Sequence, residues 1–200
     1  MLSTMTHHDA ADESPVEAVE LAPGVHALDL GLSTLTLEVI PGVIEVPRYI
    51  APRHVGFDGK PDDVDVLVTI RCGEEGPTCH ELVVTRGVTG ELLRTIPVAS
   101  IVRGLVWRNV LRVNPDGDEP RYVRYRVPDL TDSSQDTVLR TVDEVYRVAA
   151  YVGDAPRLAV QQTLGVSKAT ADRRIRDARQ AGLLDVEPPV GRGGRITQGD

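Results

Sequence analysis

The chain has 200 residues, 41% of them hydrophobic and only 4% aromatic, with a net charge of −8. That is enough chain for one moderate domain and a small one, with a core built from Val, Leu, Ile and Ala rather than from rings. No apolar run approaches the roughly 18 residues that span a bilayer, and the acidic start MLSTMTHHDAADESPVEA lacks the basic flank and apolar centre of a secretion signal. A cytoplasmic protein without a membrane partner is therefore expected.

Residues 1–16 read as a disordered tail, and residues 17–128 as a mixed α/β domain with a β-hairpin and one helix. Leu32 to Val39, LSTLTLEV, alternates apolar and polar residues and predicts a half-buried strand. Ile44 to Ile50, IEVPRYI, predicts a second short strand, confined to an edge by Pro47. Asp65 to Arg71, DVLVTIR, the turn-rich GEEGPT and then His80 to Thr85, HELVVT, predict the hairpin. Pro97 to Arg112 predicts the helix, with Val98, Ile101, Val102, Leu105 and Val106 on one broad apolar face. The single tryptophan, Trp107, is assigned to packing. Asn114 to Pro120 is a loop, and Arg121 to Val127, RYVRYRV, predicts a further strand whose alternating basic and aromatic residues suit an exposed face as well as a nucleic-acid stripe.

PDLTDSSQD, from Pro128 to Asp136, reads as a linker, with residues 129–136 separating the first domain from a second over 137–200. A helix from Thr137 to Val152 is predicted, its apolar face formed by Val138, Val142, Val145 and Ala149. Next comes PRLAVQQTLGVSKATADRRIRDARQAGLL. Its first helix is expected over Pro156 to Leu164, capped by Asp154 and with Pro156 in the first turn, where a missing N–H costs nothing. Gly165 ends it, Val166 plugs the gap, and Ser167 caps a second helix running from Lys168 to Ala181, stopped by Gly182. At about 100° per residue, Ala171, Ile175, Ala178 and Gly182 share one narrow face. Ala169, Arg173, Arg176 and Gln180 lie opposite, with Asp172 beside them and Arg174 and Arg179 on the flanks.

Two helices joined by a glycine turn, the second with small buried residues and a basic outer stripe, match the layout of a helix-turn-helix DNA reader. Lys168, Ala169, Asp172, Arg173 and Arg176 form the expected base-reading set, since arginine grips guanine O6 and N7 with two hydrogen bonds. Ser167, Thr170 and Arg157 are expected on phosphates. Asp172 has two readings, an acceptor for cytosine N4 or a source of phosphate repulsion. The C-terminal DVEPPV and GRGGRITQ read either as a wing with Arg192 and Arg195 on phosphates or as a flexible tail. The arginine count by itself carries little weight: lysine occurs only at Lys60 and Lys168, so a coding bias toward arginine runs through the whole chain.

The segment VDEVYRVAAYVGDAPRLAVQQTLGVSKATADRRIRDARQAGLL resembles the C-terminal module of uncharacterised actinobacterial and actinophage helix-turn-helix proteins, which carry a "vYraA" helix before a "va.alGvsrsTA..wi..AR..GlL" segment. Tyr146, Ala149, Gly165, Val166, Ser167, Thr170, Ala171, Ile175, Ala178, Arg179, Gly182 and Leu183 match that pattern. Upstream, ELLRTIPVASIVR from Glu91 to Arg103 is similar to an "lR.iPv..iv" element of the same proteins. The resemblance implies DNA binding and little more. Asp172 departs from it, which argues against tight, unselective binding.

The charge distribution agrees with that reading. Ala155 to Gly199 carries eight basic and four acidic side chains, a surplus of +4, so a total of −8 leaves −12 on the rest. Such asymmetry marks a nucleic-acid-binding end, and an acidic remainder discourages indiscriminate sliding. Catalytic signatures are missing: the sequence contains no GxxxxGK[ST], no HExxH and no GxSxG, nor a GxGxxG after a strand. Asp62, Asp63 and Asp65 form an acidic cluster before a strand that a metal-dependent nuclease could use, and a solvated loop explains them just as well. Cys72 and Cys79 enclose six residues and precede His80, a spacing that fits no common zinc knuckle. The expectation is an α+β protein, not an enzyme and without cofactors. It would act as a homodimeric, sequence-specific regulator of transcription on double-stranded DNA. The alternatives are a protein-interaction adaptor of phage or mobile-element origin and a DNA-maintenance accessory factor.

Overall fold

The computed structural model describes residues 19–22, 25–32, 35–60, 64–85, 88–114 and 121–184. Within them lie two antiparallel sheets and five helices. The first sheet has the order β1 (Val19–Ala22), β2 (Val25–Leu32), β5 (Tyr49–Phe57), β6 (Asp65–Gly73) and β7 (Gly76–Thr85). The second has the order β3 (Thr36–Ile40), β4 (Ile44–Pro47), β8 (Leu111–Asn114) and β9 (Arg121–Arg124). The helices are α1 (Gly90–Thr95), α2 (Val98–Arg108), α3 (Gln135–Val152), α4 (Pro156–Thr163) and α5 (Lys168–Gln180).

An α+β architecture is thus observed, but its N-terminal part differs in detail from the expectation. The predicted strand over 32–39 is split between β2 and β3, which belong to different sheets. The predicted strand over 44–50 is likewise split, into β4 and β5, and neither is the edge strand expected from Pro47: β4 lies between β3 and β8, and β5 between β2 and β6, with Pro47 itself paired to Thr36. The chain changes sheets at Arg48, whose backbone N–H donates to Leu35 O at 2.8 Å and whose carbonyl accepts from Cys72 N at 2.9 Å. A pattern read as two strands therefore marks two crossing points.

The hairpin is observed, but tighter than expected. Gly73 pairs with Gly76, so only Glu74 and Glu75 form the turn and most of GEEGPT is strand. Gly76 has φ +117 and a Cβ there would meet Tyr151 O at 3.0 Å, so the hairpin tip rests against the end of α3. Cys72 lies opposite Pro77 and Cys79 opposite Ile70, and both thiols are free. Among the described residues no group of three or more His, Cys, Asp or Glu gathers to hold a metal, and no helix is long and apolar enough to cross a membrane.

A helix that was not predicted, α1, precedes the predicted one. Thr89 caps α1 through its hydroxyl, which accepts Leu92 N at 3.1 Å. The helix predicted to reach Arg112 ends at Arg108, where Asn109 turns its amide back onto Leu105 O at 2.7 Å. Residues 111–114 become β8 and add to β4. A run of apolar residues at helical spacing was extended too far because Leu111 and Val113 satisfy a strand equally well.

The main core lies between these layers. Ile50, Val66, Val68 and Ile70 of the first sheet, Ile44 and Val46 of the second, and Ile101, Leu105 and Val106 of α2 are essentially inaccessible. Helix α3 closes this core with Val148 and Val152 and at the same time founds a second one with Leu139, Val142, Val145 and Tyr146. Its buried surface is therefore wider than the single stripe predicted, and Val138 lies only at its margin. Buried Glu144 is held by Arg112 of β8, a charged clasp between helix and sheet. Trp107 and Val127 lean on both cores.

Candidate nucleic-acid interface

The three C-terminal helices are punctuated by one device used repeatedly. Ser134 caps α3 and Ser167 caps α5, each hydroxyl accepting the backbone N–H three residues on at 3.2 Å, from Thr137 and Thr170 respectively. Each helix ends on a glycine with positive φ: Gly153 (+78), Gly165 (+61) and Gly182 (+73). Gly165 N donates to Gln162 O at 3.2 Å and Val166 N to Gln161 O at 3.1 Å, the paired bonds of a Schellman turn. An L side chain at Gly165 would be strained by its backbone conformation rather than by crowding, since nothing lies within 4 Å.

The predicted bounds of α4 and α5 match the structure to within one residue at each end. The predicted cap of α4 does not. Ala155 holds the N-cap position and makes no side-chain bond. Asp154 faces the other way, accepting from Trp107 Nε1 at 2.7 Å and pairing with Arg103 Nε at 3.2 Å. Pro156 removes one of the orphan N–H groups of this helix end, and those of the next two residues receive no side-chain cap.

Helix α5 buries Ala171, Ile175 and Ala178 against α3 and α4, joined by Val160 and Leu184. Small residues at two of these three positions allow close approach. Gly182, expected on this face, lies beyond the helix end and is exposed. The opposite side presents Lys168, Ala169, Arg173 and Arg176 to solvent, with Thr170, Asp172 and Arg174 half-buried. Lys168, Arg173, Arg174 and Arg176 have no ion pair to another described residue. In α5, five cations stand against Asp172 and Asp177, a local surplus of +3.

The remaining expected site residues have other partners. Arg157 of α4 is exposed and its Nε lies 3.6 Å from Asp172 Oδ1. The Ser167 and Thr170 hydroxyls are 3.0 Å apart, tied to each other and to the cap. Arg192 and Arg195, and with them any wing, lie outside the described residues, as do Asp62 and Asp63.

Three residues that sequence reasoning did not single out as a unit fix the far end of α5. Arg179 donates to Tyr146 Oη at 3.2 Å and stacks over its ring with 5.8 Å to the centroid. Arg147 bonds Asp143 at 2.6 Å and reaches Leu183 O at 2.6 Å, closing the helix end onto α3. The sequence signal for this was the place of Tyr146, Arg179 and Leu183 among the residues that match the helix-turn-helix pattern. Compared with protein families, curated proteins and solved structures, the chain matches none.

Proposed function

We propose that the chain is a sequence-specific DNA-binding protein that regulates transcription, with α4 and α5 acting as a helix-turn-helix and α5 entering the major groove. One observation carries this reading. Lys168, Ala169, Arg173 and Arg176 form an exposed row without an ion pair to any described residue, on a helix whose other side is fixed by Ala171, Ile175 and Ala178. Exposed cations that outnumber the acids beside them are available to base edges and phosphates, and a buried anchoring face holds them in fixed relation.

The N-terminal end of α5 adds the positive pole of its dipole to the same surface. Lys168, Asp172, Arg173 and Arg176 face base edges in this reading, and Ala169 gives room for close approach. Arg157, Ser167 and Thr170 stand at the phosphate margin. Regulation follows from occupancy of an operator, which blocks or recruits polymerase. Two copies of the chain would place two α5 helices about one DNA turn apart, so a homodimer on a two-fold symmetric site is part of the proposal.

Selection of bound fragments from a random duplex pool, followed by salt titration on the winner, tests it. Expected are a two-fold symmetric consensus and a log–log salt slope of about −0.9 per neutralised phosphate. Failure to retain any duplex at low salt overturns the reading.

A further inference from the structure

Asp172 is an acid set in a row of cations. Lys168, Asp172 and Arg176 are spaced four apart and lie along one ridge of α5, and Arg157 approaches Asp172 from α4. The Arg157–Asp172 contact has little structural work to do. Its 3.6 Å separation exceeds a hydrogen bond, and the side chains are 56% and 37% exposed, so solvent screens the pair. Packing between α4 and α5 is already supplied by Val160, Ala171 and Ile175. What the arginine does is cancel the charge of a carboxylate that would otherwise repel phosphate, and keep it on the outer ridge.

From this we infer that Asp172 selects a cytosine, accepting a hydrogen bond from its N4 amine in the major groove while Arg157 offsets its charge. The inference rests on the reading of α5 as the DNA-contacting helix. An ionised carboxylate only accepts hydrogen bonds. In the major groove, guanine presents the acceptors N7 and O6 and thymine the acceptor O4, all of which repel it. Adenine offers N6 beside the repelling N7, whereas cytosine offers N4 without an adjacent acceptor on its edge. Arg173, next in the chain and exposed, has the opposite preference and suits a guanine. Asp172 therefore works by exclusion as much as by attraction, which explains an acid where bare affinity would favour a base.

The test is selection from a random duplex pool with the wild-type chain, Asp172→Ala, Asp172→Asn, Arg157→Ala and the exchange Arg157→Asp with Asp172→Arg, each checked by thermal unfolding. Wild type is expected to enrich cytosine at one position of each half-site. Asp172→Ala loses that preference, on the order of tenfold or more, and keeps the preferences at the other positions. Asp172→Asn moves the preference toward adenine, the partner of an amide. Arg157→Ala keeps the cytosine preference but binds every sequence more weakly. The exchange rebuilds the pair and converts cytosine to guanine. If Asp172→Ala and Asp172→Asn both return the wild-type consensus, or the exchange does, the pair is only a surface contact and the inference is overturned. Should the wild-type chain select nothing, the DNA reading itself has failed, a result distinct from an unchanged consensus.

Discussion

The indole N–H of Trp107 donates to the carboxylate of Asp154 at 2.7 Å, tying the last turn of α2 to the turn between α3 and α4. Arg103 holds the other carboxylate oxygen at 3.2 Å. The two residues are 47 positions apart, and the bond couples the sheet-bearing part of the chain to the start of the α4–α5 pair.

Removing that acceptor should be felt. Asp154→Ala leaves a half-buried indole N–H without its charged partner and is expected to cost about 1–3 kcal/mol. Asp154→Asn keeps an acceptor for Trp107 and loses only the Arg103 pair, which is partly exposed and worth little. It should cost less than half as much. Trp107 is the sole tryptophan, so urea titration followed by its fluorescence reports the local change directly. An Asp154→Ala midpoint equal to wild type would mean the bond contributes nothing.

Arg173 and Arg176 are predicted to matter for DNA and not for folding. Both are exposed and without ion pairs to described residues, so alanine at either should shift stability by no more than about 0.5 kcal/mol. On the selected operator each should cost about 1–3 kcal/mol if it reads a base. A residue contacting phosphate instead would lower affinity on all sequences alike and reduce the salt slope by about 1. Filter binding at several salt concentrations separates these outcomes, and undiminished affinity in both variants removes them from the contact set.

Ile175 is predicted to behave in the opposite way. It is 6% exposed, in a cluster with Val142, Val145, Val160, Ala171 and Ala178. Ile175→Ala should cost about 2–5 kcal/mol, and Ile175→Val about 0.5–1.5 kcal/mol. Because the cluster is small, the alanine variant should lose helical circular dichroism at lower temperature and lose DNA binding with it. Full stability of Ile175→Ala would contradict the packing described here.

What was legible in the sequence is what is decided locally. Gly165 ends α4, and Ser167 and Gly182 bound α5, through bonds that span no more than about five residues, and the small-residue face of Ala171 and Ala178 follows from helical spacing alone. The hairpin of β6 and β7 was readable for the same reason. The misreadings arise where distant chain decides. Residues 32–39 and 44–50 alternate like single strands, yet each is divided between sheets by partners elsewhere in the fold. Asp154 has the right identity and position for a cap, but Trp107 and Arg103 outcompete the helix for its oxygens. The approach of Arg157 to Asp172, from one helix to the next, could not be read from spacing within a single helix. The second buried side of α3, with Val148 and Val152, belongs to a core whose other walls reach back as far as Val25 of β2.

Stability should fall in alkali, and Cys72 sets where the fall begins. Burial pushes its thiol from 9.0 up to about 11, with the nearby Tyr151 hydroxyl pulling partly the other way. The folded chain therefore keeps the proton between pH 9 and about 11, while the unfolded chain has released it. With more protons bound in the folded state, the free energy of unfolding declines as pH rises through this window, is flat below it, and levels off above it. The loss attributable to Cys72 is at most about 3 kcal/mol. Cys79 is shifted in the same direction by burial. Tyr125 and Tyr151 are also raised, chiefly by burial, but their effect begins only above the ordinary tyrosine value of 10.0. Urea titrations at closely spaced pH values should thus show a downward slope starting near pH 9, and Cys72→Ala should flatten its first part whatever that variant costs at neutral pH. A slope identical in wild type and Cys72→Ala would place the alkaline loss on other groups.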